Sequence, residues 1–184
     1  MKIVILASGN GSLAQSIFDA VSDGELPVEI SALVSDQPNS YVLERARNSG
    51  IKTFVLEMQP NRAQWNEQLH DLIKTIQPDL VVSAGFMRIL DANFVEDFRV
   101  INSHPALLPN FPGAHAVRDA LAAGVKVTGT TIHWVDAGVD TGEVIAQATL
   151  DVEADDTEET LHERIKILER GLIVATIRTL VPTS

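Results

Sequence analysis

Residues 1–12 have the sequence MKIVILASGNGS, in which an apolar run passes directly into a glycine-rich turn. A short run rich in Ile and Val is typical of a strand that is buried on both faces in a parallel sheet. The residues that follow, 12–21, have the spacing of a helix with one apolar face. No small-residue cleavage pattern marks this segment as a signal peptide. The stretch therefore predicts a strand, a tight turn and a helix.

The same alternation of strands and helices continues along the chain. Strands are predicted near residues 2–7, 28–34, 52–56, 79–84 and 99–102, with an antiparallel-looking pair near 126–135 and 143–150. Helices are predicted at residues 12–21 and 40–48, and two more apolar stripes have helical spacing: Trp65, Leu69, Leu72 and Ile76, then Leu161, Ile165, Leu168 and Leu172. This order predicts one α/β domain over residues 1–184, with a Rossmann-like, mostly parallel twisted sheet, flanking helices and an antiparallel C-terminal strand pair.

Composition excludes several classes of function. The 184 residues are 45% hydrophobic and 21% charged, which suits one globular domain with a full core. A formal net charge of −11 argues against nucleic acid as a partner, because phosphate backbones require clustered Lys and Arg. The chain has no Cys, which excludes disulfides and thiol chemistry. The apolar runs are too short to span a membrane, and no export signal is evident, so we expect a cytoplasmic protein.

The glycine turn at residues 8–12 has three interpretations. Backbone N–H groups at a helix N-terminus that is opened by glycines make a cradle for a phosphate or another anion. The spacing from Gly9 to Ala14 also fits the dinucleotide fingerprint G-x-G-x-x-A, with Asp36 near the end of the second strand. A purely structural turn is the third. A Walker loop is excluded, because no lysine follows Gly11.

A second informative stretch, residues 101–113, has the sequence INSHPALLPNFPG. An apolar strand ends here in two polar residues, Asn102 and His104, and three prolines then restrict the backbone. Open α/β sheets place their chemistry at such strand ends. Asp140 lies in DAGVDTG (residues 136–142), just before another apolar strand. We therefore expect these three side chains to come from two strand ends on the same side of the sheet.

This trio suits the transfer of an acyl group to an amine. An Asn amide donates hydrogen bonds without titrating, and a His donates to a developing oxyanion and then moves a proton. A carboxylate beside it, here Asp140, should raise the pKa of His104. No Ser or Cys lies in a nucleophile-elbow pattern, so direct transfer between two bound substrates is the simpler hypothesis. A metal site built from His104, His115 and His133 would have only loose spacing, and none is predicted.

These residues, in this order, resemble a known family, the folate-dependent formyltransferases. The likeness rests on NSHPALLP (102–109), DTG (140–142) and AGFMRIL (84–90), and it extends over nearly the whole chain. The opening SGNGS (8–12) narrows it to the branch that acts on 5-phosphoribosylglycinamide in purine synthesis. The resemblance implies an enzyme that transfers the formyl group of 10-formyltetrahydrofolate, a consumed cosubstrate, to the amine of that ribonucleotide, with no metal required.

The resemblance also implies roles for particular residues. Asn102, His104 and Asp140 match the catalytic trio of the family. The folate pocket is implied at these positions: Arg62, Met87, Arg88, Ile89, Leu90 and Asn102, with Arg62 near the glutamate tail of the folate. Catalysis and folate binding are assigned to the C-terminal half of the chain as an expectation, although Arg62 and residues 87–90 precede its midpoint.

The ribonucleotide site is implied in two places. Gly11, Ser12 and Leu13 match the loop that holds the phosphate through backbone N–H groups, and Glu169 falls where the family holds the sugar. Position 13 is Leu where many members have Asn, and the backbone contacts should survive that change. The N-terminal half is expected to supply the nucleotide and phosphate site.

Two other functions stay open at the level of the residues. One is a formyltetrahydrofolate hydrolase, or a formyltransferase acting on another amine, which only dependence on the acceptor would separate from the first. The other is a non-catalytic nucleotide-binding module built on the G-x-G-x-x-A match. The expected partners are small-molecule substrates, without nucleic acid or membrane, and a homodimer is left open.

Overall fold

A computed structural model describes residues 1–182, so the last two positions of the predicted domain, 183 and 184, lie outside the described residues. The strands are β1 (Lys2–Leu6), β2 (Glu29–Ser35), β3 (Thr53–Val55), β4 (Leu80–Ser83), β5 (Val100–His104), β6 (Val127–Trp134) and β7 (Val144–Asp151). The helices are α1 (Ser12–Ser22), α2 (Tyr41–Asn48), α3 (Arg62–Ile76), α4 (Ala92–Asp97), α5 (Ala116–Ala122) and α6 (Glu158–Leu180).

The strands form one sheet in the order β3-β2-β1-β4-β5-β6-β7. The first five strands are parallel, and β6 pairs antiparallel with both β5 and β7. The predicted α/β class, the mostly parallel sheet and the antiparallel C-terminal pair are confirmed. Two short helices, α4 and α5, had no counterpart in the prediction, and β5 continues two residues further than predicted, so that Asn102 and His104 lie within the strand.

The core has two layers, because alternate residues of a buried strand point to opposite faces of the sheet. Ile3 and Ile5 of β1 face the layer covered by α1, α2 and α6, and Val4 and Leu6 face the layer covered by α3 and α4. All four are fully buried, which is why β1 has no polar residue in its interior. In residues 1–182, none of the helices combines the length and the apolarity needed to cross a lipid bilayer.

The predicted helical stripes face the core with one shift. Trp65 and Leu69 of α3 are buried, and Leu72 and Ile76 pack at the edge of the same layer. In α6 the stripe begins at Leu161 and Ile165 as predicted and continues through Glu169 and Ile173, while Leu168 and Leu172 are half-buried. A carboxylate therefore occupies a position of α6 that the pattern reserves for an apolar side chain.

The topology brings three loops together at one edge of the sheet. Sheet growth reverses direction between β1 and β4, and ligands in open α/β sheets bind beyond the carboxyl ends of strands at such a point. The loops that leave β1, β4 and β5 at this edge are those that begin at Ala7, Ala84 and Pro105. They contain the three stretches that the sequence singled out.

Gly11 gives a direct test of the first of these loops. It has φ +78°, and a Cβ at this position would overlap the side chain of Val42 in α2. Gly11→Ala should therefore lower the free energy of unfolding by about 2–4 kcal/mol, from left-handed backbone strain and overpacking together. Urea unfolding measures the change. The matched control is Gly9→Ala, where a Cβ meets no atom within 4 Å, and an equal loss in both variants would contradict this account.

Candidate active site

His104 lies at the end of β5 with both ring nitrogens engaged. Nε2 lies 2.8 Å from the carbonyl oxygen of Phe111, to which it must donate because a carbonyl only accepts. Nδ1 faces Asp140 Oδ2 at 3.3 Å. A neutral ring with its proton on Nε2 would turn a lone pair toward the carboxylate, so this arrangement suits the doubly protonated imidazolium. His104 is 4% exposed, so its burial acts on its protonation together with these two neighbours.

Asp140 reaches His104 from an unexpected direction. Because β6 runs antiparallel to β5, its last residue, Trp134, pairs with Ile101 near the start of β5. The connection 135–143 must then fold back along the sheet before its carboxylate meets His104. The prediction that Asp140 follows a strand that ends on the same side of the sheet as His104 is therefore wrong. The two side chains nevertheless meet, because the loop 135–143 returns across the sheet.

The return loop is shaped by its own residues. The Asp136 carboxylate accepts hydrogen bonds from the backbone N–H of Gly138 at 3.0 Å and from the Thr141 hydroxyl at 2.7 Å. Gly142 packs so closely on the carbonyl oxygen of Trp134 that a Cβ there would overlap it. Asp140 itself has φ +54°, a left-handed conformation that Asp tolerates better than most residues. These features preset the direction in which the carboxylate points.

His133 completes the cluster and was not predicted as more than a loose metal ligand. It is the cross-strand neighbour of Asn102, and its Nδ1 donates to the carbonyl oxygen of Trp134 at 2.8 Å. Nε2 lies 3.3 Å from Asn102 Nδ2 and 3.5 Å from Asp140 Oδ1. When it is unprotonated it accepts from the Asn102 amide, and when it is protonated it donates to the carboxylate. In both states at least one hydrogen of the Asn102 amide remains for a ligand.

The pKa of His104 is lowered overall, although Asp140 raises it as predicted. Burial lowers the pKa of the imidazole most, and the nearby His133 lowers it further, while the Asp140 charge and the hydrogen bond to Phe111 raise it. Burial prevails, because little water remains to solvate a cation at this position. The predicted effect of Asp140 is thus present with the expected sign, but it offsets only part of the desolvation. The pKa of Asp140 is lowered, first by its hydrogen bond with His133.

Two polar side chains that the sequence analysis missed hold the proline-rich loop on the sheet. The Thr131 hydroxyl donates to the carbonyl oxygen of Ala106 at 2.6 Å and accepts the backbone N–H of Leu108 at 3.0 Å. Gln147 donates to the carbonyl oxygen of Leu108 at 2.9 Å. Thr131 is the cross-strand partner of His104. The loop that follows His104 is thereby held by side chains of the neighbouring strands β6 and β7. The polar residues within the otherwise apolar β6 are the sequence feature from which the role of Thr131 could have been predicted.

The glycine loop is held by α2. Gly11 is the N-cap of α1 and provides no side-chain cap, so the first N–H groups of the helix are available to an anion. Arg45 donates to both the backbone and the side-chain oxygen of Asn10, at 2.9 and 3.0 Å. Val42 donates its backbone N–H to the carbonyl oxygen of Gly9 at 3.2 Å. Ser12 and Leu13 begin the helix beside this cradle.

The segment 87–90 lies at the same edge of the sheet. Met87 and Ile89 are 70% and 61% exposed, and Leu90 is buried. Arg62, at the start of α3, donates to the carbonyl oxygen of Ile89 and stacks on the ring of Trp65. An apolar surface groove is lined by Arg62, Asn66, Met87, Ile89 and Leu90, with Asp91 at its end. Of the residues expected in the folate pocket, the groove therefore contains Arg62, Met87, Ile89 and Leu90. Arg88 pairs with Asp36 instead, and Asn102 belongs to the His104 cluster.

Asp36 is not placed for a dinucleotide. Its carboxylate is buried and accepts a hydrogen bond from Arg88 Nε at 2.6 Å. An acid that binds a ribose hydroxyl must be accessible to the ligand. The dinucleotide interpretation therefore lacks the acidic residue that it requires after the second strand. His115 is exposed, whereas His104 and His133 are buried. Residues 1–182 contain no group of three or more side chains arranged to hold a metal ion.

Glu169 lies inside the protein against β5. The Ser103 hydroxyl, between Asn102 and His104 on the strand, donates to Glu169 Oε1 at 2.7 Å. Burial raises the pKa of the Glu169 carboxyl, although the Ser103 hydrogen bond and the charges of Lys166 and Arg170 act in the opposite direction. The predicted sugar-binding residue is thus tied to the strand that carries Asn102 and His104, and one of its oxygens already accepts a hydrogen bond.

Comparison with known proteins identifies the family of this chain. A family model described as formyl transferase matches residues 1–177. The chain belongs to the formyl transferase family. It is similar to the phosphoribosylglycinamide formyltransferase of Mycobacterium tuberculosis H37Rv, at 48% identity over 97% of this chain and 84% of that protein. It is also similar to the phosphoribosylglycinamide formyltransferase of Bacillus subtilis, at 36% identity over 97% of this chain and 94% of that protein.

A solved structure gives the same result for the fold. The crystal structure of phosphoribosylglycinamide formyltransferase from Bacillus halodurans superposes with a TM-score of 0.94 at 38% identity, covering 100% of this chain and 96% of that chain. The family resemblance inferred from the residues is confirmed. This formyl transferase therefore has the family's fold, with the His104 cluster at the carboxyl end of β5.

The contribution of Asp140 to His104 is measurable by replacing one atom of the carboxylate. Asp140→Asn removes the negative charge that raises the pKa of His104, so that pKa should fall below its value in the unmodified formyl transferase. NMR titration of the imidazole between about pH 4 and pH 8 measures both values. The resonance of His162, outside the cluster, should titrate alike in the two proteins. An unchanged or higher pKa of His104 would refute the assignment.

Burial of Glu169 predicts a pH-dependent cost to stability. Its pKa in the folded formyl transferase lies above the reference value of 4.5. The stability that the protonated Glu169 contributes is therefore fully present below pH 4.5 and is lost as the pH rises through the folded pKa. Glu169→Gln keeps an acceptor for Ser103 and does not titrate. Its Tm should exceed that of the unmodified protein by roughly 2–4 °C at about pH 8, and the difference should vanish in acid. A difference that is independent of pH would contradict the account.

Proposed function

We propose that this protein transfers the formyl group of 10-formyltetrahydrofolate to the amino group of 5-phosphoribosylglycinamide, a reaction of purine synthesis. The proposal is carried by one observation: in a formyl transferase chain, a buried His104, two residues after Asn102 on β5, faces the carboxylate of Asp140. The relatives that it resembles over almost their full length carry the name of that activity.

The chemistry requires an oxyanion site and a proton path. The acceptor amine attacks the formyl carbon, the carbonyl oxygen becomes an oxyanion, and the bond from carbon to the folate nitrogen then breaks. The amine loses one proton and the folate nitrogen gains one. Asn102 supplies an N–H that His133 leaves unused, and protonated His104 supplies a second. Asp140 stabilises the imidazolium in which His104 must start.

His104 must exchange one hydrogen-bond partner for this to occur. Its Nε2–H is donated to the carbonyl oxygen of Phe111, and Nδ1 is directed at Asp140. The formyl oxygen therefore takes the place of the Phe111 carbonyl at Nε2. Phe111 has φ +54°, a strained conformation that costs on the order of 1 kcal/mol and is often found at functional sites. A shift of residues 110–113 would release both the strain and the imidazole N–H.

The two substrates would approach from opposite sides of this cluster. The N–H groups of Gly11, Ser12 and Leu13 bind the phosphate, and Glu169 accepts a hydroxyl of the sugar through the oxygen that Ser103 does not occupy. The folate lies along the surface groove that Arg62, Met87, Ile89 and Leu90 line, and we assign Arg88 and the Asn102 amide to the same folate site. The formyl carbon then lies between the amine and His104.

The first experiment follows folate absorbance while the protein acts on a 10-formyl folate, with and without phosphoribosylglycinamide. Loss of the formyl group that depends on the ribonucleotide supports the proposal. Loss without it indicates a hydrolase or a transferase for another amine. No loss with a folded protein favours a binding module.

Two variants test the roles of the residues. His104→Ala and Asp140→Asn should each lower kcat by about a hundredfold or more, with modest changes in KM, because an oxyanion donor acts on the transition state. His70→Ala is the matched control, since His70 lies on α3 with Asp97 as its partner. Turnover that is undiminished in both active-site variants would overturn the assignment.

A further inference from the structure

Three strand ends are joined by a set of polar contacts that the proposed reaction does not use. Ser8 follows β1, Asp36 follows β2, and Met87 and Arg88 follow β4. The backbone N–H of Met87 donates to Ser8 Oγ at 2.8 Å, and Arg88 Nε donates to Asp36 Oδ2 at 2.6 Å. The backbone N–H of Ser8 also donates to the carbonyl oxygen of Gly85 at 3.1 Å. Ser8, Asp36, Met87 and Arg88 are called the Ser8–Asp36–Arg88 ring below.

Asp36 is the centre of this ring. Burial raises the pKa of its carboxyl, but hydrogen bonds with Ser8, Arg88 and Gln37 and the charge of Arg88 outweigh burial, so the pKa is lowered and the carboxylate is ionised. Asp36 Oδ1 is buried and, within residues 1–182, accepts no hydrogen bond of full geometry. Since Ser8 Oγ already accepts from Met87, its own proton is free to turn toward this oxygen. The observed contacts thus join Met87 to Ser8 and Arg88 to Asp36, and a Ser8 hydroxyl turned toward Asp36 Oδ1 would connect the two pairs.

The segment that the ring holds has little else to hold it. The side chains of Met87 and Ile89 face the surface, so they do not anchor the backbone between Phe86 and Leu90, which are buried. Within the described residues 1–182, the other side-chain hydrogen bond to this segment runs from Arg62 to the carbonyl oxygen of Ile89. A mostly exposed segment with a fixed path needs such polar contacts, because exposed apolar side chains contribute little packing.

We propose that Ser8, Asp36 and Arg88 are positioning residues that hold the donor-binding segment 87–90 against the glycine loop of the acceptor site. The inference rests on the proposed function only in assigning segment 87–90 to the folate. Asp36 is buried and touches no substrate, and its effect on donor binding passes through Arg88 and Ser8. The Asp36–Arg88 ion pair then fixes the distance between the folate groove and the glycine loop, near the point where the sheet reverses direction.

The test compares variants of the ring by hydrogen exchange and by kinetics. Arg88→Ala and Asp36→Ala should each speed amide exchange in residues 87–90 about tenfold, and Ser8→Ala should do so most at Met87, whose amide it accepts. KM for the formyl donor should rise about tenfold, with kcat and the KM for the acceptor within about threefold. The double variant Asp36→Ala, Arg88→Ala should be no worse than Arg88→Ala, because both members act through one contact.

Two further variants separate positioning from general damage. Asp36→Asn keeps the buried shape and an oxygen for Arg88, so it should recover much of the donor KM, and it preserves the test if Asp36→Ala fails to fold. Arg178→Ala breaks an exposed pair with Glu25 on the far end of α6 and should change neither readout. A lower Tm with unchanged donor KM and unchanged exchange at 87–90 would overturn the inference, as would additive effects in the double variant. If the unmodified protein transfers no formyl group, the proposed function fails, and the exchange rates still decide whether the ring holds the segment.

Discussion

The carboxylate of Asp140 holds together three parts of the chain that the sheet alone would leave apart. It faces His104 on β5 and His133 on β6, and it accepts the backbone N–H of Gly113 at 2.8 Å from the proline-rich loop. A side chain can do this only if the hairpin connection returns over the sheet, which requires the tight approach of Gly142 to Trp134. The geometry of the site is thus a property of residues 135–143 as much as of β5.

The same enclosure has opposite effects on the two partners. Burial makes the Asp140 charge more effective, because less water screens it, and it also disfavours the imidazolium that this charge stabilises. The balance for His104 is a lowered pKa. A reaction that begins with a protonated His104 therefore depends on the Asp140 carboxylate to keep part of the imidazole protonated. The rise in the His104 pKa that Asp140 causes is larger the less water surrounds the ring.

Local patterns predicted the strands well and the short helices poorly. Every strand of the sheet lies within two residues of its apolar run, since burial on both faces leaves no room for polar residues in the interior of β1. Helices α4 and α5 span too few residues for an apolar stripe to repeat, so no period marks them. The local sequence pattern thus predicts strands and helices that are long enough to bury a whole face, and it misses short helices within a connecting segment.

The residues Asn102, His104 and Asp140 could be predicted from the sequence, but their contacts with the rest of the protein could not. Asn102, His104 and Asp140 are chemically distinctive, and a family resemblance named them. The role of His133 depends on the register that places it opposite Asn102, and the pairing of Asp36 with Arg88 joins residues 52 positions apart. Register, the return path of a loop and the depth of burial are decided by tertiary packing, so the sign of the His104 pKa shift was beyond the reach of residue types alone.

The Phe111 carbonyl suggests why the imidazole is held by the protein's own backbone. In the resting site Nε2–H donates to a neutral carbonyl oxygen. Replacing it with the formyl oxygen of a bound donor exchanges one carbonyl for another, which changes the free energy little. In the proposed mechanism, that oxygen becomes an oxyanion as the amine attacks, and it then accepts a stronger, charge-assisted hydrogen bond. The gain therefore falls in the transition state and not in the bound substrate, which is the condition for an interaction to raise kcat.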